Sequence, residues 1–489
     1  MNTEIINNVC GDAEPRLVLH FFEELCKIPH GSFHTEKISD WIASYAKERG
    51  LWHVQDASGN VIIKKDGTGS CTDSAPVILQ GHMDMVLEKT DDCPLDLEKD
   101  PIVLKRDGDT LYAEGTTLGG DDGIAVAMML ALLEDDALEH PPLECVFTVN
   151  EEVGLLGAAA LDVSPLAGRR MINIDSEDEG IFTVGCAGGA EEHCRLPISR
   201  QERNGLVMTI TVSGLLGGHS GTGINLGRAN ADIVMGRVLY ALLEETSAVL
   251  ISIDGGTKDN AIPRSCTAKV MIAEEEKETA ERIAGERLEQ IAREYRIADP
   301  AITYRIDTAP STEETPSPLT KESTRHITDF LVLTPNGLFE TDPLDKSMPQ
   351  TSLNLGILAT AEDHVTAVYL VRSCVNSQKK MLQEKVERLT ALLGGTTEVK
   401  GAYPAWERAQ TSPLCDEMVR IYEQQTGEKP VVTTIHGGLE CGLLAAKLEG
   451  LDCVSIGPDL KDIHTPDEKL SLASLRRVWI FLLAVLKEM

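Results

Sequence analysis

Val77-Ile78-Leu79-Gln80-Gly81-His82-Met83-Asp84 joins a short apolar run to an imidazole and a carboxylate two residues apart. The run reads as a buried strand, and side chains two apart at a strand end point to the same side. One of the pair can bind a metal ion while the other holds it in place. Similar runs lie around it at Val61-Ile62-Ile63, Cys145 to Val149 and Met171 to Ile174. Short, continuous apolar strands are those of a parallel sheet covered on both faces. Leu17 to Cys26 and Ile38 to Ala46 have helical patterns, and Gly123 to Leu133 is an apolar helix led by Asp121 and Asp122. The helix dipole favours carboxylates there, so capping accounts for Asp122.

From Ala187 to Val399 the texture changes. Strand patterns at Val207 to Val212, Val249 to Ile253, Ala268 to Ile272 and Thr366 to Val371 alternate with charged amphipathic helices. Ile283, Ala284, Leu288 and Ile291 share one helical face, as do Leu382, Val386, Leu389 and Leu393. The mixed, hairpin-like order predicts α+β layers. Thr308 to Pro318, rich in Pro, Ser, Thr and Glu, reads as an exposed loop. Short strands return at Val431 to Ile435 and Cys453 to Ile456, and Val478 to Leu486 reads as a buried carboxy-terminal helix too short to span a bilayer.

A chain of 489 residues exceeds one compact core and predicts two or three domains. Its 45 basic and 78 acidic residues give a net charge of −33, which repels nucleic acid and anionic membranes, so neither is an expected partner. The start Met1-Asn2-Thr3-Glu4-Ile5-Ile6 has no secretory pattern. Twelve cysteines without a Cys-x-x-Cys pair argue against a disulfide framework and a thiolate zinc site, and fit a reducing cytoplasm.

The acidic partners that His82 needs also follow predicted strands. Asn150-Glu151-Glu152-Val153-Gly154 comes directly after one and Asp175 after another, where an open α/β sheet places its active site. Together with Gly115-Thr116-Thr117-Leu118-Gly119-Gly120-Asp121-Asp122-Gly123 and Ile463-His464-Thr465-Pro466, these motifs resemble the two-metal aminopeptidase/carboxypeptidase superfamily. Within it, the chain is similar throughout its length to the bacterial aminoacyl-histidine dipeptidases, also called peptidase D or cytosol non-specific dipeptidases.

The resemblance implies an α/β fold: a discontinuous catalytic domain with a largely parallel mixed sheet covered by helices, at residues 1–186 and 401–489, and an inserted α+β lid at 187–400. It makes Asp121 the bridge between two divalent metal ions, with His82 and Asp175 completing one and Glu152 and His464 the other. Three protein ligands per ion leave an open position, as in catalytic zinc sites, and the donor set also admits Mn²⁺ or Co²⁺. A metal-bridging hydroxide would attack the amide, with Glu151 as general base and Asp84 hydrogen-bonding the His82 ring.

In the inserted region, Gly217-Gly218-His219-Ser220-Gly221-Thr222-Gly223-Ile224-Asn225 spaces two glycines like a phosphate loop, but Ile224-Asn225 replaces the Lys-Ser/Thr that such a loop needs. By resemblance, His219 stabilises the oxyanion. Asn260, Arg264 and Arg372 are candidates for a substrate carboxylate, since Arg binds carboxylates bidentately, and Glu440 for the substrate amine. The expected reaction is hydrolysis of small unblocked dipeptides, including Xaa-His substrates such as β-alanyl-histidine, by a cytoplasmic homodimer. An aminoacylase or tripeptide aminopeptidase of the same superfamily is the nearest alternative. A non-catalytic metal-binding protein is disfavoured, because all five ligands and Glu151 are present.

Overall fold

The computed structural model describes residues 9–11 and 13–489, so the opening Met1 to Ile6 lies outside the described residues. The chain forms two compact units. One comprises residues 1–186, 408–434 and 439–489, and the other residues 187–407 and 435–438. Residues 401–407 and 435–438, expected with the discontinuous α/β domain, thus fall in the second unit.

The first unit is built on an eight-stranded sheet ordered Trp52–Gln55, Val61–Lys65, Leu143–Thr148, Val77–His82, Arg170–Asn173, Asp452–Ser455, Ile181–Cys186 and Val431–Ile435. The run from Leu143–Thr148 to Asp452–Ser455 is parallel, as the short apolar strands imply, while the two pairings at the Trp52 edge are antiparallel. Val77, Ile78 and Leu79 are fully buried. Helices Arg16–Leu25, Glu36–Glu48, Gly120–Glu134, Pro413–Thr426 and Leu472–Glu488 supply buried side chains to this unit's core. Among the described residues no helix is long and apolar enough to cross a membrane.

A small antiparallel sheet, ordered Leu460–Lys461, Lys469–Ser471, Thr110–Ala113 and Leu104–Asp107, also belongs to this unit. Leu470 pairs with Leu111, so the chain that carries His464 is registered beside the strand that leads into the Gly-rich segment. These strands are too short and too polar to stand out in the sequence.

The second unit is a nine-stranded sheet with helices that include Ala231–Glu245, Lys277–Glu294, Lys321–Leu333 and Asn376–Leu392. Its described pairings are antiparallel, as the hairpin-like order predicts. Thr308 to Pro310, read as the start of a loop, instead complete the strand Thr303–Pro310, because they pair with Val207 and its neighbours at the sheet edge.

Asp232 breaks the apolar pattern of this second core. It is fully buried in the first turn of Ala231–Glu245, and neither carboxylate oxygen is bonded to a nitrogen or oxygen donor among the described residues. Burial pushes its carboxyl up to about 7, and the neighbouring Cys266 thiol opposes that only in part. A carboxyl raised in the folded state stabilises below its unfolded value of 3.8 and loses that contribution as pH rises to about 7. The advantage of Asp232→Asn in denaturant unfolding should therefore grow by about 2–3 kcal/mol between pH 5 and 7. A constant difference across that range would show that Asp232 does not titrate there.

Candidate metal centre

His82 ends its strand, Glu151 and Glu152 follow the parallel neighbour Leu143–Thr148, and Asp175 lies two residues beyond Arg170–Asn173 on the other side. Asp121 comes from the segment before the regular part of Gly120–Glu134, where Asp121 and Asp122 are not helical. Strand geometry thus delivers three of the loops to one edge of the sheet.

Asp121 is central. Its Oδ1 lies 3.1 Å from His82 Nε2 and its Oδ2 lies 3.1 Å from His464 Nε2. His464 Nε2 is also 2.9 Å from Glu152 Oε1, and His82 Nε2 is 3.8 Å from Asp175 Oδ1. His82, Asp121 and Asp175 form one group with ligand atoms within 4.8 Å of one another, and Asp121, Glu152 and His464 form another. A third such group, His82 with Glu151 and Glu152, places Glu151 at the same centre.

The electrostatics describe a hole for positive charge. Burial alone would lower the His82 imidazole, yet the hydrogen bond to Asp121 and the nearby carboxylates of Asp84 and Asp175 raise it well above its usual range. Hydrogen bonds to Asp121 and Glu152 push His464 up to about 11. Burial, joined by the charge of Asp122, raises Asp175 strongly, and burial together with Asp175, Glu440 and Glu152 raises Glu151. Asp175 Oδ2 is buried with no hydrogen-bond partner. An oxygen-rich, partly orphaned donor set with two imidazoles fits divalent cations of the zinc or manganese type.

Other carboxylates hold these groups in place. Asp84 was expected on the His82 ring, but its carboxylate stands 3.6 Å from Nδ1, while its own backbone carbonyl is 2.9 Å away and takes the ring proton. The carboxylate instead accepts the Glu151 N–H at 3.0 Å, the Glu152 N–H at 3.4 Å and the Ser32 hydroxyl at 2.8 Å. Asp122 is not a helix cap. Its Oδ2 accepts the His82 N–H at 3.1 Å, a close approach that requires glycine at 81, where a Cβ would lie 2.6 Å from that oxygen.

Glu468 is the largest omission from the sequence reading. Its buried carboxylate accepts the N–H groups of Leu118, Gly119, Gly120 and Asp121 at 2.7, 3.0, 2.8 and 3.3 Å. The one hint in the sequence is its place four residues after His464. Glu440 is fully buried: Oε2 accepts hydrogen bonds from Gln80 and Thr148, while Oε1 has no partner among the described residues.

His219, Asn260, Arg264 and Arg372 all belong to the second unit. His219 pairs with Ala261 across a two-residue ladder, which brings Asn260 beside it. The N–H groups of Gly221 and Thr222 point to His219 Nδ1 at 3.2 and 3.3 Å, leaving the proton on Nε2. Partial burial and the Arg372 charge lower this imidazole, so it is neutral at physiological pH. Arg264 is exposed and donates Nε–H to the Leu215 carbonyl. Arg372 is buried, has an unpartnered Nε and forms no ion pair with a described carboxylate. His436, which the motif reading passed over, is buried nearby, bonded to Ser352 Oγ at 2.7 Å and pushed down to about 3 by burial and then by Arg372.

Carboxylates and imidazoles gathered at the carboxyl ends of parallel strands define the metallohydrolase class. The chain belongs to peptidase family M20/M25/M40, whose profile matches residues 78–488. It is 35% identical over 476 residues to the cytosol non-specific dipeptidase of Escherichia coli K12, covering 97% of this chain and 98% of that one. The crystal structure of aminoacylhistidine dipeptidase from Vibrio alginolyticus superposes with a TM-score of 0.89 at 33% identity, covering 98% of this chain and 97% of that one. Aminopeptidase PepT from Bacillus cereus shares the fold, with a TM-score of 0.55 at 16% identity over 97% of this chain and 99% of that one. The protein is a hydrolase of peptide bonds.

Glu468→Gln should weaken divalent-metal affinity about 10- to 100-fold, because it loosens the loop that presents Asp121. Metal titration of the folded variant measures this, and unchanged affinity would show that the loop holds itself.

Proposed function

We propose that the protein is a metal-dependent dipeptidase acting on unblocked dipeptides, Xaa-His substrates among them, with residues 1–186, 408–434 and 439–489 as catalytic unit and the inserted unit as lid. The observation that carries this reading is Asp121, with one oxygen toward each imidazole inside a nest of carboxylates. His82, Asp121 and Asp175 would hold one divalent cation, and Asp121, Glu152 and His464 a second, zinc suiting the donor set best. When bound, the cations lower the pKa of water and polarise the scissile carbonyl.

Glu151 takes a proton from the attacking water on its carboxylate and returns it to the leaving amine. Its backbone is fixed through the N–H bonded to Asp84, so the base stays in place while its side chain works. His219 offers a neutral Nε2–H to the oxyanion, its tautomer set by the Gly221 and Thr222 amides. Arg372, a buried cation without a carboxylate partner among the described residues, receives the substrate's carboxylate, with Asn260 and Arg264 of the same unit as further partners. The likeness to a cytosolic enzyme supports a cytoplasmic setting, and the family resemblance supports a homodimer.

A substrate panel tests the reading. Ala-His and β-alanyl-histidine should be cleaved, N-acetyl amino acids and tripeptides poorly, and a chelator should abolish turnover until metal is restored. Preference for acetylated amino acids or tripeptides would replace dipeptidase with aminoacylase or aminopeptidase. Glu151→Gln should keep its metal and lose about 10²- to 10⁴-fold in kcat. Near-normal turnover would remove Glu151 as the base.

A further inference from the structure

Apart from the metal centre, the first unit holds a cavity of about 260 Å³ with a mostly apolar lining. Protein interiors leave few spaces larger than a water molecule, so one of this size is a feature of the fold rather than loose packing. Phe182, Ile456 and Phe481, all buried, form its floor, and half-buried Tyr422 forms a wall. Phe182 stacks on Phe481 with centroids 5.4 Å apart, and Tyr422 stands edge-on to both at 5.5 and 5.4 Å. Glycine at 180 lets the Tyr422 ring come so close, since a Cβ there would lie 2.7 Å from the phenolic oxygen.

The mouth is charged. Arg477 and Ile480, both exposed on Leu472–Glu488, line the cavity together with half-buried Glu179. Arg477 donates Nε–H and Nη2–H to the two Glu179 oxygens at 2.7 and 2.6 Å. Nη1 and the outer lone pairs of the carboxylate remain for a ligand. A cation and an anion side by side above an apolar floor match a small zwitterion with an apolar side chain. Its carboxylate meets Arg477, its ammonium meets Glu179, and charges alternate around the four groups. A ligand of one sign would be repelled by one member of the pair, and a plain hydrocarbon would strip water from both without replacing it.

The lining also continues into the chain that carries Asp175. Gly457 lines the cavity and packs on Ser176, where a Cβ would lie 1.6 Å from the carbonyl oxygen, and Ser176 Oγ is 2.8 Å from Ser455 Oγ. Asp459 Oδ1 accepts the Glu179 N–H at 2.8 Å, and the Glu177 carbonyl accepts the Leu460 N–H at 2.8 Å. This seam joins the stretch just after Asp175 to the stretch that runs on to His464.

We infer that the cavity binds a free apolar α-amino acid, the chemical class that peptide hydrolysis releases, and couples its binding to the metal centre. The site holds whichever peptides the enzyme cleaves; the coupling rests on Asp175 and His464 as metal ligands. An amino acid that braces the seam favours the arrangement in which both ligand groups are complete, and by linkage the metal favours the amino acid equally.

Calorimetric titration of the holoenzyme with L-phenylalanine tests the site. It should bind about tenfold more tightly than glycine, phenethylamine or hydrocinnamate, which lack the side chain, the carboxylate and the amine in turn. Arg477→Gln should weaken it by about the same factor. Ile480→Trp keeps the ion pair and narrows the mouth, so it should also weaken binding and tests the cavity even where Arg477→Gln disturbs the fold. L-Phenylalanine that does not bind at millimolar concentration, or that binds both variants as tightly as the wild type, overturns the site; the latter result would put the amino acid in the catalytic centre as a bound product. Equal affinity for hydrocinnamate, phenethylamine and L-phenylalanine overturns the zwitterion assignment. For the coupling, saturating L-phenylalanine should tighten metal binding to the metal-stripped full-length protein about fivefold or more, and not in Ile480→Trp. Metal affinity unchanged by bound L-phenylalanine overturns the coupling while the site stands, and metal that binds in neither condition overturns the ligand assignments instead.

Discussion

Crowding of buried carboxylates is the constraint on which the catalytic unit depends. Asp121, Glu151, Glu152 and Asp175 converge around His82 and His464, and burial with mutual repulsion raises Glu151, Glu152 and Asp175 above their ordinary range. Like charges in a poorly hydrated pocket are costly unless positive charge joins them. Local rigidity must therefore be supplied from outside the cluster. Asp84 holds the amides of Glu151 and Glu152, Asp122 holds that of His82, and Glu468 holds those of residues 118–121. Each of these acids is stabilised by N–H dipoles, so anionic density serves two purposes: one set awaits cations and the other fixes the backbone that presents it.

Such a division explains what could be read from the sequence. The parallel strands were legible because each is a short apolar run, and their ends placed His82, Glu152 and Asp175 near one another before any coordinates. The support acids were not legible by the same logic. Asp84 looks like a ring partner because it lies two residues from His82, but a backbone carbonyl on the same residue reaches Nδ1 first. Asp122 looks like a cap because it precedes an apolar helix, but the chain is not yet helical there. Glu468 bonds amides 347 to 350 positions away, and no local pattern encodes that distance. The burial of Glu440 was not legible either: acidic residues are usually exposed, and only the Gln80 and Thr148 hydrogen bonds reveal that this one is interior.

The second unit treats charge in the opposite way. Arg372 is buried without a carboxylate partner among the described residues, and its field helps keep His219 and His436 neutral. A buried guanidinium whose one side-chain partner among the described residues is the Tyr403 hydroxyl at 3.4 Å costs stability, which is the physical ground for proposing that an anionic ligand joins it. His219 meanwhile gains a defined tautomer from two backbone amides rather than from a carboxylate. An acid in that place would raise the imidazole and favour a second proton; amides fix the donor without charging it.

The order of the chain adds a last consequence. Asp175 and His464 are separated by the whole of the inserted unit, yet the first unit's sheet is incomplete until Asp452–Ser455 slots in parallel beside Arg170–Asn173. Leu460–Lys461 and Lys469–Ser471 join Thr110–Ala113 and bring Glu468 to the Gly-rich loop. Parallel pairing over such a separation carries a loop-closure cost that local contacts do not repay. Asp121 lies early in the chain, yet four amides of its loop are held by Glu468 near the other end, and the same short segment brings His464 to its second oxygen. The geometry of the centre therefore depends on both distant parts of the catalytic unit being in register.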